Sequence, residues 1–225
     1  MKKILLIFGA SGSLGSGVAK SIRDESYDKI YLFDREKIDD KNLRMKSVQT
    51  GDLSKEENVE TSFSQVGLDS DAQYFLFSTI GGFAGGNEIA DTSLDEWNKM
   101  MNLNLNISFL LAKHFINFCE KGKGGAICFT TAMTSLEPSQ NKAAYGTSKS
   151  ALNYLVKTLA KECKKRSISV NAISPLVLDT EENREWVKDE SIMVKSEDIG
   201  KLVHSIFENR AILSGNIIEL PGTLK

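Results

Sequence analysis

The chain has few of the residues that build metal sites, disulfide frameworks or rigid turns. Its 225 residues include three cysteines, three prolines and two histidines. Cys119, Cys128 and Cys163 are far apart and form no C-x-x-C pair, which excludes a zinc or thioredoxin-like site and is typical of reduced thiols packed in a core. His114 and His204 lie in helical patterns with no second ligand nearby in the sequence. We therefore predict no metal site.

The chain also lacks a charge excess and a long apolar run. Its 28 basic residues stand against 30 acidic ones, a formal charge of −2, so the surface offers little attraction to a nucleic-acid backbone. The apolar stretch at residues 4–8 is too short to span a bilayer, and the stretch at 107–119 contains Lys113 and His114. We expect a cytoplasmic protein with neither a nucleic-acid nor a membrane partner.

Strand and helix signals alternate along the whole chain. Apolar runs predict seven strands, at residues 4–8, 30–33, 47–50, 74–77, 126–130, 168–173 and 216–220. Helical spacing predicts helices at 14–23, 54–66, 93–119, 142–166 and 196–208, with Ser93 and Glu96 as a capping box and Ser196 as an N-cap. The alternation implies right-handed β-α-β crossovers. We predict a single α/β domain over residues 1–225, with a doubly wound parallel sheet of about seven strands of the Rossmann type.

A glycine-rich turn follows the first predicted strand, with Gly9, Gly12 and Gly15 in a G-x-x-G-x-x-G pattern. Glycine allows a tight turn and lets a phosphate approach the amides of a helix N-terminus, although such turns also join strands to helices for purely structural reasons. Asp34 stands 19 residues beyond Gly15, where a carboxylate would accept hydrogen bonds from an adenosine ribose. The pattern predicts a dinucleotide site. Asp34 favours NAD(H), and the neighbouring Arg35 keeps NADP(H) as the alternative.

Tyr145 and Lys149 are four residues apart on a predicted helix and therefore share one face. A lysine ammonium stabilises a phenolate and lowers the pKa of the tyrosine, so the pair suits proton exchange with a carbonyl or alcohol oxygen. The same spacing is common on ordinary surface helices. It becomes specific only after a dinucleotide fold.

These motifs, in this order, resemble the short-chain dehydrogenase/reductase family over essentially the whole chain. The resemblance implies that Tyr145 is the general acid, that Lys149 also binds the nicotinamide ribose, and that Asn104 holds a water in a proton relay behind Lys149. It implies adenine contacts for Asp52 and Leu53 and a contact of Thr180 with the carboxamide end of the cofactor. The full cofactor-binding set is then Gly9, Ser11, Gly12, Ser13, Leu14, Gly15, Asp34, Arg35, Asp52, Leu53, Gly81, Gly82, Tyr145, Lys149, Pro175 and Thr180.

The match departs from the family where a catalytic serine usually stands, about 13 residues before the tyrosine. That position is Ala132, and we take the adjacent Thr131 as the candidate catalytic hydroxyl, with Thr134 close by. The missing serine and the G-x-x-G-x-x-G spacing are both similar to the dihydropteridine reductase branch. That branch shares the Gly-Gly-aromatic-Ala-Gly-Gly-Asn loop at residues 81–87, usually with Trp in place of Phe83, and the Leu-Asp-Thr-x-x-Asn-Arg segment at 178–184.

The sequence thus predicts an NAD(P)H-dependent oxidoreductase that transfers hydride to or from a small carbonyl- or imine-like substrate held by a loop at about residues 176–195. A dinucleotide-sensing protein without catalysis is the alternative from another class. A sugar epimerase or dehydratase is disfavoured, because only about 45 residues follow Asp179. Apolar residues such as Phe109 and Tyr154 extend beyond one stripe of the long helices, which in this family form a four-helix interface. We predict a homodimer or homotetramer.

Overall fold

The computed structural model describes residues 1–39 and 42–223, and a seven-stranded parallel sheet forms its centre. The sheet has the order β3-β2-β1-β4-β5-β6-β9, and β7 pairs with β8 in a separate two-stranded ribbon. The strands are β1 Lys2–Phe8, β2 Lys29–Asp34, β3 Met45–Gln49, β4 Ala72–Ser78, β5 Gly125–Thr130, β6 Ile168–Pro175, β7 Val177–Leu178, β8 Met193–Val194 and β9 Ile217–Leu220.

Helices cover both faces of the sheet. They are α1 Ser13–Ile22, α2 Glu56–Ser64, α3 Leu94–Met101, α4 Ile107–Cys119, α5 Ala143–Glu162, α6 Glu181–Arg184 and α7 Ser196–Glu208. Short 3-10 turns lie at Ile89–Asp91, Met133–Ser135, Cys163–Arg166 and Glu190–Ile192, and a π-helical turn at Asn102–Asn106 joins α3 to α4. The core on one face takes side chains from α2, α4 and α5, and the core on the other face takes them from α1 and α7.

The first strand shows why its sequence is a continuous apolar run. Ile4, Leu6 and Phe8 enter the core on one face, while Leu5 and Ile7 enter the core on the other. All five side chains are buried, and each contributes about 1.5–3 kcal/mol of hydrophobic free energy relative to the exposed chain. A strand buried on both faces needs no polar alternation. This arrangement places the carboxyl ends of the strands, where functional loops collect, at one edge of the sheet.

The predicted sheet and its seven strands are confirmed, and the differences are local. The hydroxyl of Ser93 accepts the Glu96 amide at 3.1 Å, as a cap should. Ser196 is the first residue of α7 rather than its cap, a position that Lys195 occupies. The short strands β7 and β8 escaped prediction because two residues carry no periodicity. In the part of the chain described, no helix combines the length and the apolar character that crossing a bilayer requires.

Candidate functional site

The glycine-rich turn is folded tightly against its own backbone. Gly9 has φ +82°, a conformation that favours glycine, and a β-carbon there would overlap the Thr79 hydroxyl. A β-carbon on Gly15 would overlap the Gly9 carbonyl oxygen. Gly12, the N-cap residue of α1, is open, since the nearest atom to an added β-carbon is the Gly9 carbonyl oxygen at 3.7 Å. The turn therefore exposes the amino end of α1, with Ser13 first in the helix and Leu14 buried beneath it.

Asp34 ends β2 directly beside this turn. One carboxylate oxygen accepts the Ser11 amide at 2.8 Å, and the other accepts the Arg35 amide at 2.8 Å. The Asp34 side chain thus braces the turn while remaining partly exposed. The Arg35 guanidinium lies 3.4 Å from the carboxylate of Asp52. The pKa of Asp52 is lowered, mainly because its carboxylate accepts the amide and hydroxyl of Ser54.

A cleft of about 340 Å³ runs from the turn across the carboxyl ends of the central strands. Leu53 is buried and contributes to the wall near Asp34, whereas Asp52 does not line the cleft. Thr79, Ile80 and Gly81, which follow β4, line the cleft as well. The complete lining is Gly9, Ser11, Gly12, Phe33, Asp34, Arg35, Thr50, Leu53, Thr79, Ile80, Gly81, Leu103 and Ile107.

Tyr145 and Lys149 project from the first turns of α5, as predicted. Lys149 is buried, and its ammonium donates to the carbonyl of Thr130 at the end of β5, at 2.9 Å. Burial lowers the pKa of Lys149 to about 8 and raises the pKa of Tyr145 to about 12. The expectation that Lys149 lowers the pKa of Tyr145 is therefore wrong. Desolvation disfavours both the phenolate and the ammonium, and the ammonium is directed towards the Thr130 carbonyl.

Asn104 lies in the π-helical turn and is buried at the centre of the site. Its Oδ1 accepts the Gly82 amide at 2.9 Å, and its Nδ2 donates to the Gly82 carbonyl at 3.0 Å and to the Ser148 hydroxyl at 3.0 Å. The side chain thus clamps the loop after β4 to α5. Because both ends of the Asn104 side chain take part in this clamp, the predicted water relay would have to use the backbone carbonyl of Asn104. That carbonyl accepts the hydroxyl of Ser108 at 3.2 Å.

Gly81, in the loop after β4, lies very close to the side chains of Asn104 and Lys149. A β-carbon on Gly81 would lie 2.7 Å from Asn104 Oδ1 and 2.8 Å from Lys149 Nζ. Real β-carbons do not come this close to other atoms. Gly81 also lines the cleft, so one wall of the cleft lies against Asn104 and Lys149.

The structure adds two contacts to the site, one through Ser148 and one through Phe83 of the loop at residues 81–87. Ser148 accepts from Asn104 and donates to the Tyr145 carbonyl at 2.7 Å, so it joins the clamp to the tyrosine backbone. The aromatic ring of Phe83 packs edge-on against Tyr145, with centroids 5.0 Å apart and planes at 76°. Neither partnership leaves a local signal, because each joins residues far apart in the chain or depends on the loop path.

The structure does not bring Thr131 to the site as predicted. Its hydroxyl is buried and donates to the Ile173 carbonyl at 3.1 Å, which ties the end of β5 to β6. Ala132 is buried beside it, and the buried hydroxyl of Thr134 has no hydrogen-bond partner among the described residues. The mechanism proposed below therefore uses no serine or threonine hydroxyl.

The segment after β6 folds mainly through contacts within itself. Pro175 ends β6 and is buried, and the Thr180 hydroxyl caps α6 by accepting the Asn183 amide at 3.2 Å. Arg184 holds Asp179 through two hydrogen bonds, Nε–Oδ1 at 2.6 Å and Nη2–Oδ2 at 2.9 Å. The Leu-Asp-Thr-x-x-Asn-Arg segment is thus a compact turn, and its polar residues are explained by local structure.

His114 has carboxylate neighbours that the sequence alone did not reveal. Glu56, Glu60 and His114 place ligand atoms within 4.8 Å of one another. However, Glu56 Oε1 already accepts the Lys113 ammonium at 2.5 Å and lies 2.9 Å from His114 Nε2. Glu56 thus connects α2 to Lys113 and His114 of α4.

The comparisons with known proteins identify the family of the chain. The short chain dehydrogenase family model matches residues 3–191. The dihydropteridine reductase of Dictyostelium discoideum is 30% identical over 193 residues, 84% of this chain and 80% of that protein. The glucose 1-dehydrogenase of Gluconobacter oxydans is 27% identical over 202 residues, 83% of this chain and 73% of that protein. The solved structure of ElxO with NADP bound has a TM-score of 0.85 and 21% identity, covering 98% of this chain and 97% of ElxO.

The fold and the family match define an oxidoreductase that uses a nicotinamide dinucleotide. The family match extends over most of the chain, and the chain belongs to the short-chain dehydrogenase/reductase family. It is an NAD(P)-dependent enzyme with relatives in the dihydropteridine reductase branch. The likeness to ElxO concerns the fold.

Proposed function

We propose that the protein transfers hydride between NAD(P)H and a small carbonyl- or imine-like substrate, with Tyr145 exchanging the proton. The observation that carries the proposal is the position of Gly81. It lines the cleft that starts at the glycine turn, and it packs against both Asn104 and Lys149. A dinucleotide that fills the cleft from the turn therefore ends beside the Tyr145 helix.

The residues around the cleft fit such a cofactor. The open position at Gly12 and the free amino end of α1 are suited to a pyrophosphate. Asp34 and Leu53 lie where an adenosine would be held, and Gly81, Gly82, Pro175 and Thr180 stay predictions for the nicotinamide end. The bound cofactor supplies the hydride and its acceptor chemistry. The chain supplies binding, orientation and the proton.

We propose NAD(H) as the preferred form. The carboxylate of Asp34 stands at the turn, where it would repel a 2′-phosphate, and Arg35 is already drawn to Asp52. Titrating NADH and NADPH into the protein, with fluorescence as the readout, measures the preference directly. Equal or tighter binding of NADPH contradicts it.

Tyr145 is the proton donor in this proposal. With its pKa raised to about 12, the phenol is protonated at neutral pH but is a weak acid, so its proton transfer depends on stabilisation of the phenolate. Lys149, with a pKa of about 8, is mostly charged at pH 7. When the ammonium turns away from the Thr130 carbonyl, it can stabilise the Tyr145 phenolate that forms.

The substrate class that the site favours is a flat, easily reduced ring such as a quinonoid dihydropterin. Three features support it: the identity with the Dictyostelium dihydropteridine reductase, the aromatic Phe83 beside Tyr145, and Ala132 in place of a catalytic serine. An activated imine needs less polarisation than a ketone, so Tyr145 alone suffices. The loop at about residues 176–195 would close the other side of the pocket.

The proposal is tested by following NADH oxidation with quinonoid dihydropterin and with a panel of simple aldehydes and ketones. We expect turnover with the dihydropterin and little with the panel. Turnover with simple ketones only would retain the oxidoreductase and overturn the pterin substrate. NADH binding without turnover on any of these would support the alternative that Ala132 suggests, a dinucleotide-sensing protein.

We also propose a homo-oligomer built on α4 and α5. Phe109 and Tyr154 lie on these helices with 49% and 76% of their surface exposed, so both rings are available for a contact between subunits. Light scattering after gel filtration should give a dimer or tetramer for the wild type and a monomer for Tyr154→Glu. A monomeric wild type would contradict this proposal.

A further inference from the structure

The loop from Gly81 to Asn87, called here the glycine loop, lies next to the start of α5 and carries Phe83. Its first part is clamped by Asn104, which forms two hydrogen bonds with Gly82. Its far part meets a different segment, because the Gly86 amide donates to the carbonyl of Asn141 at 2.8 Å. The loop is therefore attached at two points, with Phe83 between them.

Asn141, whose carbonyl accepts this hydrogen bond, has an unusual backbone conformation. Its φ is +61°, the left-handed region that asparagine tolerates better than most residues. Two residues later α5 begins, and Tyr145 lies in its first turn. The conformation of Asn141 thus determines whether a carbonyl at the base of the catalytic helix faces the glycine loop.

The glycines of the loop match this contact. A β-carbon on Gly85 would lie 2.7 Å from the Asn141 carbonyl oxygen and 3.2 Å from Cζ of Phe83. Gly86 has φ +115°, which favours glycine. The loop can lie this close to Asn141 only because it carries no side chain at these positions.

Phe83 is the residue that the two attachments position. Its ring packs edge-on against Tyr145 with centroids 5.0 Å apart, and Lys142 Nζ lies 6.0 Å from the ring centroid. Even so, 62% of the Phe83 surface is exposed, so packing alone does not hold the side chain in the site. The backbone on either side must hold it.

We propose that Asn141 is a positioning residue: its left-handed backbone latches the glycine loop at Gly86 and so keeps Phe83 as a wall of the substrate pocket beside Tyr145. The proposal rests on the proposed function for its consequence in catalysis. The latch itself is a structural claim that can be tested without any substrate.

The experiment compares Asn141→Val, which is unfavourable at positive φ, with Asn141→Gly, which accepts it. Hydrogen exchange of the loop peptide should speed up about tenfold in Asn141→Val and stay within about twofold of wild type in Asn141→Gly. With quinonoid dihydropterin, the KM of Asn141→Val should rise about tenfold while kcat and the Kd for NADH change less than twofold, and Asn141→Gly should restore KM.

Unchanged exchange in Asn141→Val, or equal damage in both variants, would overturn the latch. A fall in kcat at constant KM would overturn the role of Phe83 as a pocket wall. If the wild type does not reduce dihydropterin, the proposed function fails, and hydrogen exchange still decides the latch. A melting-temperature loss shared by the two variants would show that Asn141 has only a structural role.

Discussion

The molecule has two glycine-rich loops at the same edge of the sheet, and they use glycine for different reasons. In the turn at residues 9–15, Gly15 is required because the backbone folds against itself at the Gly9 carbonyl, and Gly9 is required by its positive φ and by the nearby Thr79 hydroxyl. In the glycine loop, it is required because side chains and backbone from distant segments press against it, as Asn104 and Lys149 do at Gly81. At Gly15 the constraint is local backbone geometry, whereas at Gly81 it is tertiary packing.

Because of this difference, substitutions in the two loops should have different effects. Damage to the first turn should disturb the start of α1 and the binding of a dinucleotide. Damage to the glycine loop should disturb the arrangement of Lys149, Asn104 and Tyr145 while leaving most of the cleft intact. Single substitutions in each loop distinguish the two outcomes.

The largest effect is expected from Gly15→Ala. Its β-carbon would overlap the Gly9 carbonyl, and the turn must open or the helix must move. We expect a loss of about 3 kcal/mol or more in the free energy of unfolding and no measurable NADH binding. Chemical denaturation and fluorescence titration measure both.

Gly12→Ala is the matched control in the same turn, because its β-carbon would meet only the Gly9 carbonyl at 3.7 Å. It should fold with nearly wild-type stability and lose only NADH affinity, since the methyl group would face the cofactor. If Gly15→Ala proved as stable as Gly12→Ala, the tight-turn account would be wrong.

Gly81→Ala should affect catalysis more than stability. The added methyl group would displace Asn104 Oδ1 or Lys149 Nζ, each less than 3 Å away. We expect about a hundredfold loss of kcat with a destabilisation of about 1–2 kcal/mol, because a flexible lysine end can move. Steady-state kinetics and denaturation report the two quantities. Near-normal kcat would show that this contact does not matter to the reaction.

Lys149→Met should remove catalysis and stabilise the fold. The folded pKa of about 8 lies below the ordinary value of 10.5, so the folded chain binds fewer protons between these two values than the unfolded chain. The free energy of unfolding of the wild type should therefore rise with pH from about 8 to 10.5. In Lys149→Met it should be up to about 3 kcal/mol higher at pH 7 and should not rise over this pH range. Thermal melts of both proteins across this range provide the test, and parallel curves would contradict the buried-charge account.

Ser148→Ala should give the smallest effect. It removes the hydroxyl that links Asn104 to the Tyr145 carbonyl, and leaves Asn104 Nδ2 its bond to Gly82. We expect about 1 kcal/mol of destabilisation and a severalfold fall in kcat. A larger loss of kcat than in Gly81→Ala would reverse the order of importance proposed for the glycine loop.

The same contrast explains what the sequence could predict. The sheet, the turn at Gly9–Gly15 and the position of Asp34 follow from periodicity and spacing, because their causes lie within a few residues. The Asn104 clamp, the orientation of Thr131 and the raised pKa of Tyr145 depend on burial and on partners far along the chain. A single sequence does not show which distant residues come into contact or which side chains become buried.

The central claim is that Tyr145 donates the proton at the end of a dinucleotide cleft. The most direct measurement is hydride transfer in a single turnover, with NADH prebound to wild type and to Tyr145→Phe and then mixed with quinonoid dihydropterin. We expect NADH Kd values within about twofold of each other and at least about a hundredfold slower transfer in Tyr145→Phe. Transfer at the wild-type rate in Tyr145→Phe would contradict it.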